Sequence, residues 1–328
     1  MKGHMFSLEA GYPSQSENRA FQPSWPFVLM VFLIHEAILL GAWIVPFPNA
    51  SLTYAKANEA FYKTSYFWFR WDTLWYRMIA EHGYATHPAA QAFFPWVPLL
   101  IRTLGMWGAW GTTQVAFAAS LTLAYRIFAR MGLSATQQRD GVLLLALNPA
   151  MIFYGTLYPE PWTLLWTLVA LEWGQQKRWC VAAGASFLAA TTQAQGVLVG
   201  VFPLALTVAA LRGRQWGSTV GPLFWGLGPL LGLVSFSAYL GAKVGNPLAW
   251  VAAQQRFWGG HWVDPWRQWT QAWRYGWTHG ALLFHLFLAA AMTLFVIGML
   301  QTVRLRARSP IESWGLVGYE VLGIMIAV

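Results

Sequence analysis

The stretch Trp25–Phe47, WPFVLMVFLIHEAILLGAWIVPF, decides the fold class. Between Pro26 and Pro46 it is apolar except for His35 and Glu36 near its middle, and as a helix it is long enough to cross a hydrocarbon core of about 30 Å. The rest of the chain is of the same kind. Of 328 residues, 57% are hydrophobic and only 10% charged, against about 25% charged in soluble domains. With 22 Trp, 12 Tyr and 21 Phe, the composition excludes a solvated globular protein, disorder, coiled coil and collagen. It predicts an all-α, polytopic integral membrane protein whose aromatic residues belt the interfaces. The excess of 21 basic over 12 acidic residues, +9 in all, is read as the charge that orients a membrane protein rather than as a nucleic-acid footprint. A lone cysteine, Cys180, leaves any outer loop to be held by packing instead of disulfides.

Outward from that first segment, residues 1–24 form a polar tail with Glu9, Glu17, Asn18 and Arg19. It is too polar for a cleavable signal and is expected in the cytoplasm. Residues 25–328 are then one transmembrane domain. A long mixed stretch, about 48–92, cannot cross lipid and is read as a large loop. Phe93–Leu104 is apolar but short, with Pro95 and Pro98 near its start, and reads as a half-span or an interfacial helix. Thr112–Phe128, Gly141–Thr156, Trp162–Trp173, Trp179–Gln193, Gly196–Leu211, Val220–Leu240 and Ala281–Val303 are further apolar segments, several of them too short for a full span. Such short helices imply a cavity within the bundle. The last run, begun near Trp314, is cut off at Val328 and predicts a truncated final helix.

Arg126, Arg130 and Arg139; Lys177 and Arg178; Arg212 and Arg214; and Arg304, Arg306 and Arg308 all lie in short connections. They share the cytoplasmic side if 93–104 does not cross and 179–211 enters and returns. The opposite face then receives the loops at about 48–92 and 241–280 and the turn Tyr154–Pro161, and function is expected there. No internal repeat stands out.

The densest set of reactive groups runs from Arg70 through Trp71, Asp72, Tyr76, Arg77, Glu81 and His82 to Tyr84. Its middle reads as an interfacial helix with Trp71, Trp75 and Ile79 on one face. Asp72 and Glu81 fall on opposite faces and do not form a pair. Asp72 shares a face with Tyr76, while Arg77 and Glu81 are i,i+4 neighbours placed for an ion pair. For Asp72 two roles stand open, helix N-cap or a reactive carboxylate. Elsewhere, His35-Glu36 opens like a zinc-protease signature, but Leu39 stands where the second histidine belongs, leaving an interior polar pair. Asp264 before Pro265 reads as turn chemistry. No P-loop, dinucleotide fingerprint or nucleophile elbow is present, and no ligand spacing supports a divalent metal.

Trp71-Asp72, Ile79-Ala80-Glu81-His82-Gly83-Tyr84 and Phe93-Phe94-Pro95 with Pro98 together resemble the PIG-V family of GPI mannosyltransferases and its bacterial relatives. Asn148-Pro149 with Phe153, Tyr158-Pro159-Glu160, Thr191-Thr192, and Gln255-Arg256-Phe257-Trp258-Gly259 with Pro265-Trp266 extend the likeness in order along the chain. Gln193 stands where many relatives carry Arg, and Pro159 where they carry Ser or Thr. The resemblance implies a type C membrane glycosyltransferase fold and a mannosyltransferase. It implies transfer of mannose or a similar hexose from a polyprenyl or dolichyl phosphate to a glycan or glycolipid acceptor.

It also implies that Asp72 is the base. One carboxylate suffices, because a phosphate leaves without needing a proton, and inversion would turn a β-phosphosugar into an α-mannoside. Arg70, Arg77 and Arg256, with Arg267 behind them, are the phosphate-binding candidates, beside structural or lipid-headgroup roles. Glu160 is placed either to orient the acceptor hydroxyl or to pair with an arginine. His82 is a donor-phosphate candidate or a structural histidine; Tyr76 is a further substrate contact. Trp68, Trp71 and Tyr84 are candidates for sugar stacking, or interfacial anchors. The expected location is a multi-pass bacterial plasma membrane with an extracytoplasmic site, or the endoplasmic reticulum with a lumenal one. The other class considered is a non-catalytic transporter or lipid-carrier flippase, which would show inverted repeats and matched intramembrane charges.

Overall fold

The computed structural model describes residues 25–44, 68, 69, 71–148, 151–259 and isolated positions between 267 and 274. The tail 1–24, all of residues 45–67, Arg70, Asp264 and the apolar segments after residue 280 lie outside the described residues. Among those described, the chain is all-helical with no β-strand. In order come α1 (Trp25–Ile44), α2 (Thr73–His82), a 3-10 turn (Pro88–Ala92), α3 (Trp96–Arg130), α4 (Ala135–Ala146) and the single turn α5 (Ile152–Gly155). They are followed by α6 (Glu160–Gln175), α7 (Trp179–Thr192), a 3-10 segment (Ala194–Gly200), α8 (Val201–Arg212), α9 (Val220–Val244) and α10 (Ala249–Phe257).

The short Phe93–Leu104 segment is not a separate helix. It is the first arm of α3, which breaks at Gly105 (φ 70°, ψ 175°), a backbone conformation open to glycine because it has no Cβ. Pro95 precedes that arm at the N-cap position and Pro98 lies in its first turn, where a missing N–H costs no hydrogen bond. Likewise the apolar run 141–156 is divided between α4 and α5, and the Met151 carbonyl at the division lies 3.1 Å from Nε2 of His35 on α1. His35 is fully buried and its Nδ1 lies 2.9 Å from Oε1 of Glu36, the interior pair expected from sequence.

Contacts along the bundle fix the directions of its helices. The second arm of α3 runs with α6: Trp162 Nε1 donates to Thr113 Oγ1 (3.1 Å) at one end, and buried Glu172 meets Arg130 (2.8 Å) and Arg126 (3.4 Å) at the other. Gln193, just after α7, meets the start of α6 through Thr163 Oγ1 (3.2 Å), so α6 and α7 are antiparallel. Helix α9 runs along α7 with glycines in the seam: a Cβ on Gly228 would stand 2.1 Å from the Ala183 carbonyl oxygen, and on Gly232 2.7 Å from that of Phe187. Close backbone approach of this sort needs small residues. Fully buried Trp225 fills the same seam and donates to Ser186 Oγ (2.8 Å). Gly200 and Gly226 lie against Pro229 and Pro203, setting α8 antiparallel to α9.

The connections carrying Arg126, Arg130, Arg139, Lys177, Arg178, Arg212 and Arg214 consequently gather at one end of the bundle. α2, the Pro88–Ala92 turn, α10 and the start of α6 gather at the other. Among the described residues, Ala194–Arg212 and Trp216–Val244 are the two stretches long and apolar enough to cross a membrane, with mean hydropathies of 2.0 and 1.5. α1 buries Val28, Val31, His35 and Leu39 while exposing Leu29, Met30, Leu33, Ile34, Ile38 and Leu40, so it is apolar on both its packed and its open faces.

Candidate functional site

At the end opposite the basic connections, the segment before α2 is stapled to the segment before α6 by three hydrogen bonds. The Leu157 N–H donates to the Trp68 carbonyl (2.9 Å). Thr73 Oγ1 donates to the Leu157 carbonyl (3.1 Å), and the Asp72 N–H donates to Tyr158 Oη (3.1 Å). Leu157 and Thr73 are fully buried. Between them Trp71 is held at φ 42°, a region a large side chain occupies only when its surroundings enforce it.

Asp72 occupies the N-cap position of α2, yet its side chain caps nothing and its backbone is helical (φ −68°, ψ −17°). The N-cap role is therefore not the one its carboxylate performs. That carboxylate is drawn into an aromatic recess, where burial lifts its pKa from the usual 3.8 to about 6. Glu160 opens α6, outside the two candidate spans, and is raised to about 7, first by burial and then by the negative charge of Asp72. A backbone N–H and the Gln193 amide work the other way. Gln193 Nε2 lies 3.4 Å from Glu160 Oε1, and Glu160 Oε2 is enclosed without a hydrogen-bond partner among the described residues. Tyr76 and Tyr158 complete the recess, their rings edge to face at 6.2 Å. Burial, followed by the charges of Asp72 and Glu160, holds the Tyr76 phenol well above its ordinary range, so it stays a neutral donor. Phe153 packs on both Tyr158 (5.1 Å) and Trp71 (6.2 Å).

Asp72, Tyr76 and Glu160 are thus brought together; other sequence candidates are not. Arg77 Nε donates to Glu81 Oε1 at 2.7 Å, the i,i+4 pair read from spacing, and His82 Nε2 stands 3.8 Å from Glu81 Oε2 with most of its ring exposed. Tyr84 is buried against Phe236 (5.6 Å) and Tyr239 (5.8 Å), beyond the turn at Gly83 (φ 79°) that ends α2, and is near enough to Tyr76 for the two phenols to interact electrostatically. Trp71 precedes α2 instead of sharing its face with Trp75 and Ile79, and is 51% exposed. Arg256 is exposed on α10, its guanidinium 5.3 Å from the centre of the Phe257 ring, and Arg267 is exposed as well.

Tyr158 and Gln193 have roles in the site that sequence alone does not assign them; the signals for them are the motif Tyr158-Pro159-Glu160 and the departure at Gln193. Among the described residues no three His, Cys, Asp or Glu side chains are grouped to hold a metal ion. No family model, curated protein or solved structure matches the chain.

Proposed function

We propose that this protein is a membrane-embedded glycosyltransferase. It moves mannose or a similar hexose from a polyprenyl or dolichyl phosphate to a hydroxyl of a glycan or glycolipid, with inversion, and Asp72 is the base. The observation that carries the reading is the Asp72 carboxylate itself. It stands at an N-cap without capping, is desolvated, and titrates near 6, where a general base is both ionised at neutral pH and basic enough to take a hydroxyl proton.

Glu160, enclosed beside it with one free oxygen, accepts a second hydrogen bond from the acceptor and orients it. The neutral phenol of Tyr76 donates to sugar or acceptor. The departing phosphate carries off its own charge, so no second proton donor is required. Arg77 is already bonded to Glu81, and the phosphate's counter-charge is assigned to Arg70, two residues before Asp72 in sequence. Supporting the membrane setting are the apolar outer faces of α1 and α9, the latter exposing Leu223, Leu227, Leu230, Leu231 and Val234; patches of this extent are otherwise rare on monomers. The gathering of basic connections at the far end agrees with an extracytoplasmic site.

The test is incubation of purified protein with labelled polyprenyl phosphomannose and candidate acceptors, following carrier-phosphate release and product mass. Turnover lost in Asp72→Asn, with donor binding retained, is expected. Unchanged turnover in that variant would overturn the assignment, and failure with every hexose donor would favour a transporter or flippase.

A further inference from the structure

Three helices close at the basic end of the bundle with the same turn. After α3 the N–H groups of Gly132 and Leu133 donate to the carbonyls of Ala129 (3.0 Å) and Phe128 (3.2 Å). After α6 those of Lys177 and Arg178 donate to Gly174 (3.0 Å) and Trp173 (2.9 Å), and after α8 those of Arg214 and Gln215 donate to Leu211 (3.0 Å) and Ala210 (2.9 Å). This is the Schellman cap, in which the first residue past the cap is left-handed and is ordinarily glycine. Gly132, at φ 74°, follows the rule. Lys177 at φ 59° and Arg214 at φ 55° break it, although an L side chain crowds its own backbone there. Capping itself is better served by glycine, so strain retained at two matching positions points to a use for the cations.

The two cationic turns share a corner. Gly174, in the last turn of α6, is covered by Trp225 of α9, and Trp179, which opens α7, lies against Gly221 near the start of α9. Lys177, Arg178, Arg212 and Arg214 are all exposed and make no ion pair among the described residues. The chain around them brings no counter-charge. No Asp or Glu occurs between Glu172 and Asp264, and Glu172 is buried and already held by Arg126 and Arg130. The corner also has a defined depth: the stretches Ala194–Arg212 and Trp216–Val244 stop and start on either side of Gly213–Gln215. Trp216 is 69% exposed there, as an interfacial tryptophan is.

We infer that this corner binds the headgroup of an anionic phospholipid in the leaflet remote from Asp72. The phosphodiester accepts from Lys177 and Arg214, with Arg178 and Arg212 beside them; clustered cations at headgroup depth are what such a lipid recognises. Exposed Val208 and Leu211 of α8 and Val220 and Leu223 of α9 lead from the corner into the apolar layer. A ligand with acyl chains covers them, whereas a free anion leaves them bare. The site draws on the two spans and not on the chemistry at Asp72.

The experiment is native mass spectrometry of the purified full chain in dodecyl maltoside, titrated separately with dioleoyl phosphatidylglycerol, dioleoyl phosphatidylcholine and inorganic phosphate. Phosphatidylglycerol is expected to bind at least ~10-fold more tightly than either of the others, and Lys177→Gly and Arg214→Gly to weaken it ~5-fold each. Because glycine suits both turns, the two variants are expected to melt at or above the parent's temperature in the absence of lipid. Arg139→Gln is the control: Arg139 is exposed at the same end, but on α4, which packs on α1 and α3, and its variant should bind as the parent does. Equal affinity for phosphatidylcholine or inorganic phosphate, or unchanged binding in both glycine variants, would overturn the proposal. So would lowered melting in the glycine variants, which would make the cations part of the fold, or an equal loss in Arg139→Gln, which would make the attraction one of overall charge.

Discussion

The backbone N–H of Asp72 donates to the phenol oxygen of Tyr158, 3.1 Å away and 86 residues along the chain. This bond, with Thr73 reaching the Leu157 carbonyl, sets the carboxylate of one segment beside that of Glu160 in the other. Tyr158→Phe removes the acceptor and leaves a part-buried N–H unsatisfied. It is expected to lower stability by about 1 kcal/mol and turnover by ~10-fold with little change in overall helicity. Circular dichroism and transfer assays on the same preparation check this.

Asp72→Asn is expected to lower turnover at least ~100-fold, the ordinary contribution of general-base catalysis. In the parent protein the base must be ionised, and with its pKa at about 6 kcat/KM should rise with pH through about 6 and level off above 7. A profile flat from pH 5 to 8 would remove Asp72 from the role.

The same acids make a stability prediction of opposite sense. Both carboxyls titrate higher in the folded chain than when free, at about 6 and about 7. The folded state therefore favours their neutral forms: their contribution to stability is fully present below pH 4 and is lost as pH rises through these values. Glu160→Gln, neutral at every pH, should melt at or above the parent's temperature at pH 8 and flatten the decline between pH 4 and 8. Differential scanning fluorimetry across that range measures it.

Arg77 and Glu81 pair at the surface, with side chains 30% and 45% exposed. Exposed pairs contribute little, so Glu81→Gln is expected to change stability by under ~1 kcal/mol and turnover by less than ~3-fold. A loss comparable to Asp72→Asn would restore Glu81 to the site.

Gly228→Leu places a side chain where even a Cβ meets the Ala183 carbonyl oxygen at 2.1 Å. Backbone cannot yield as a side-chain tip can, so α7 and α9 should separate, with loss of the monodisperse species on size exclusion. Gly184→Ala, where nothing lies within 4 Å of the added atom, is the control expected to behave as the parent.

Local periodicity carried much of this arrangement. The Arg77–Glu81 and His35–Glu36 pairs were legible because helical geometry alone decides them. The placing of Asp72 and Tyr76 on one side of α2 was legible for the same reason. Trp71 was misplaced because its positive φ is imposed by the staple to Leu157 and Tyr158, which no short-range pattern encodes. Tyr84 reads in sequence as a sugar-stacking candidate or an interfacial anchor because an exposed and a buried tyrosine look alike there, and its burial depends on Phe236 and Tyr239, more than 150 positions away. The approach of Glu160 to Asp72, and the bond that gives Gln193 its place, likewise exist only after α6 and α7 have packed. The all-helical architecture was legible from composition; the break at Gly105 was not, since a glycine in an apolar run is compatible with either a continuous or a divided helix.

The staple also sets an order of assembly. During synthesis Asp72 and Thr73 are made long before Leu157 and Tyr158. Until those later residues emerge and α6 docks, the aspartate's N–H has no phenol to meet and its carboxylate remains hydrated, with the pKa of an ordinary acid. The raised pKa of Asp72 is thus conferred late, by the second segment upon the first, and a nascent chain carrying the aspartate alone has an ordinary, hydrated acid there.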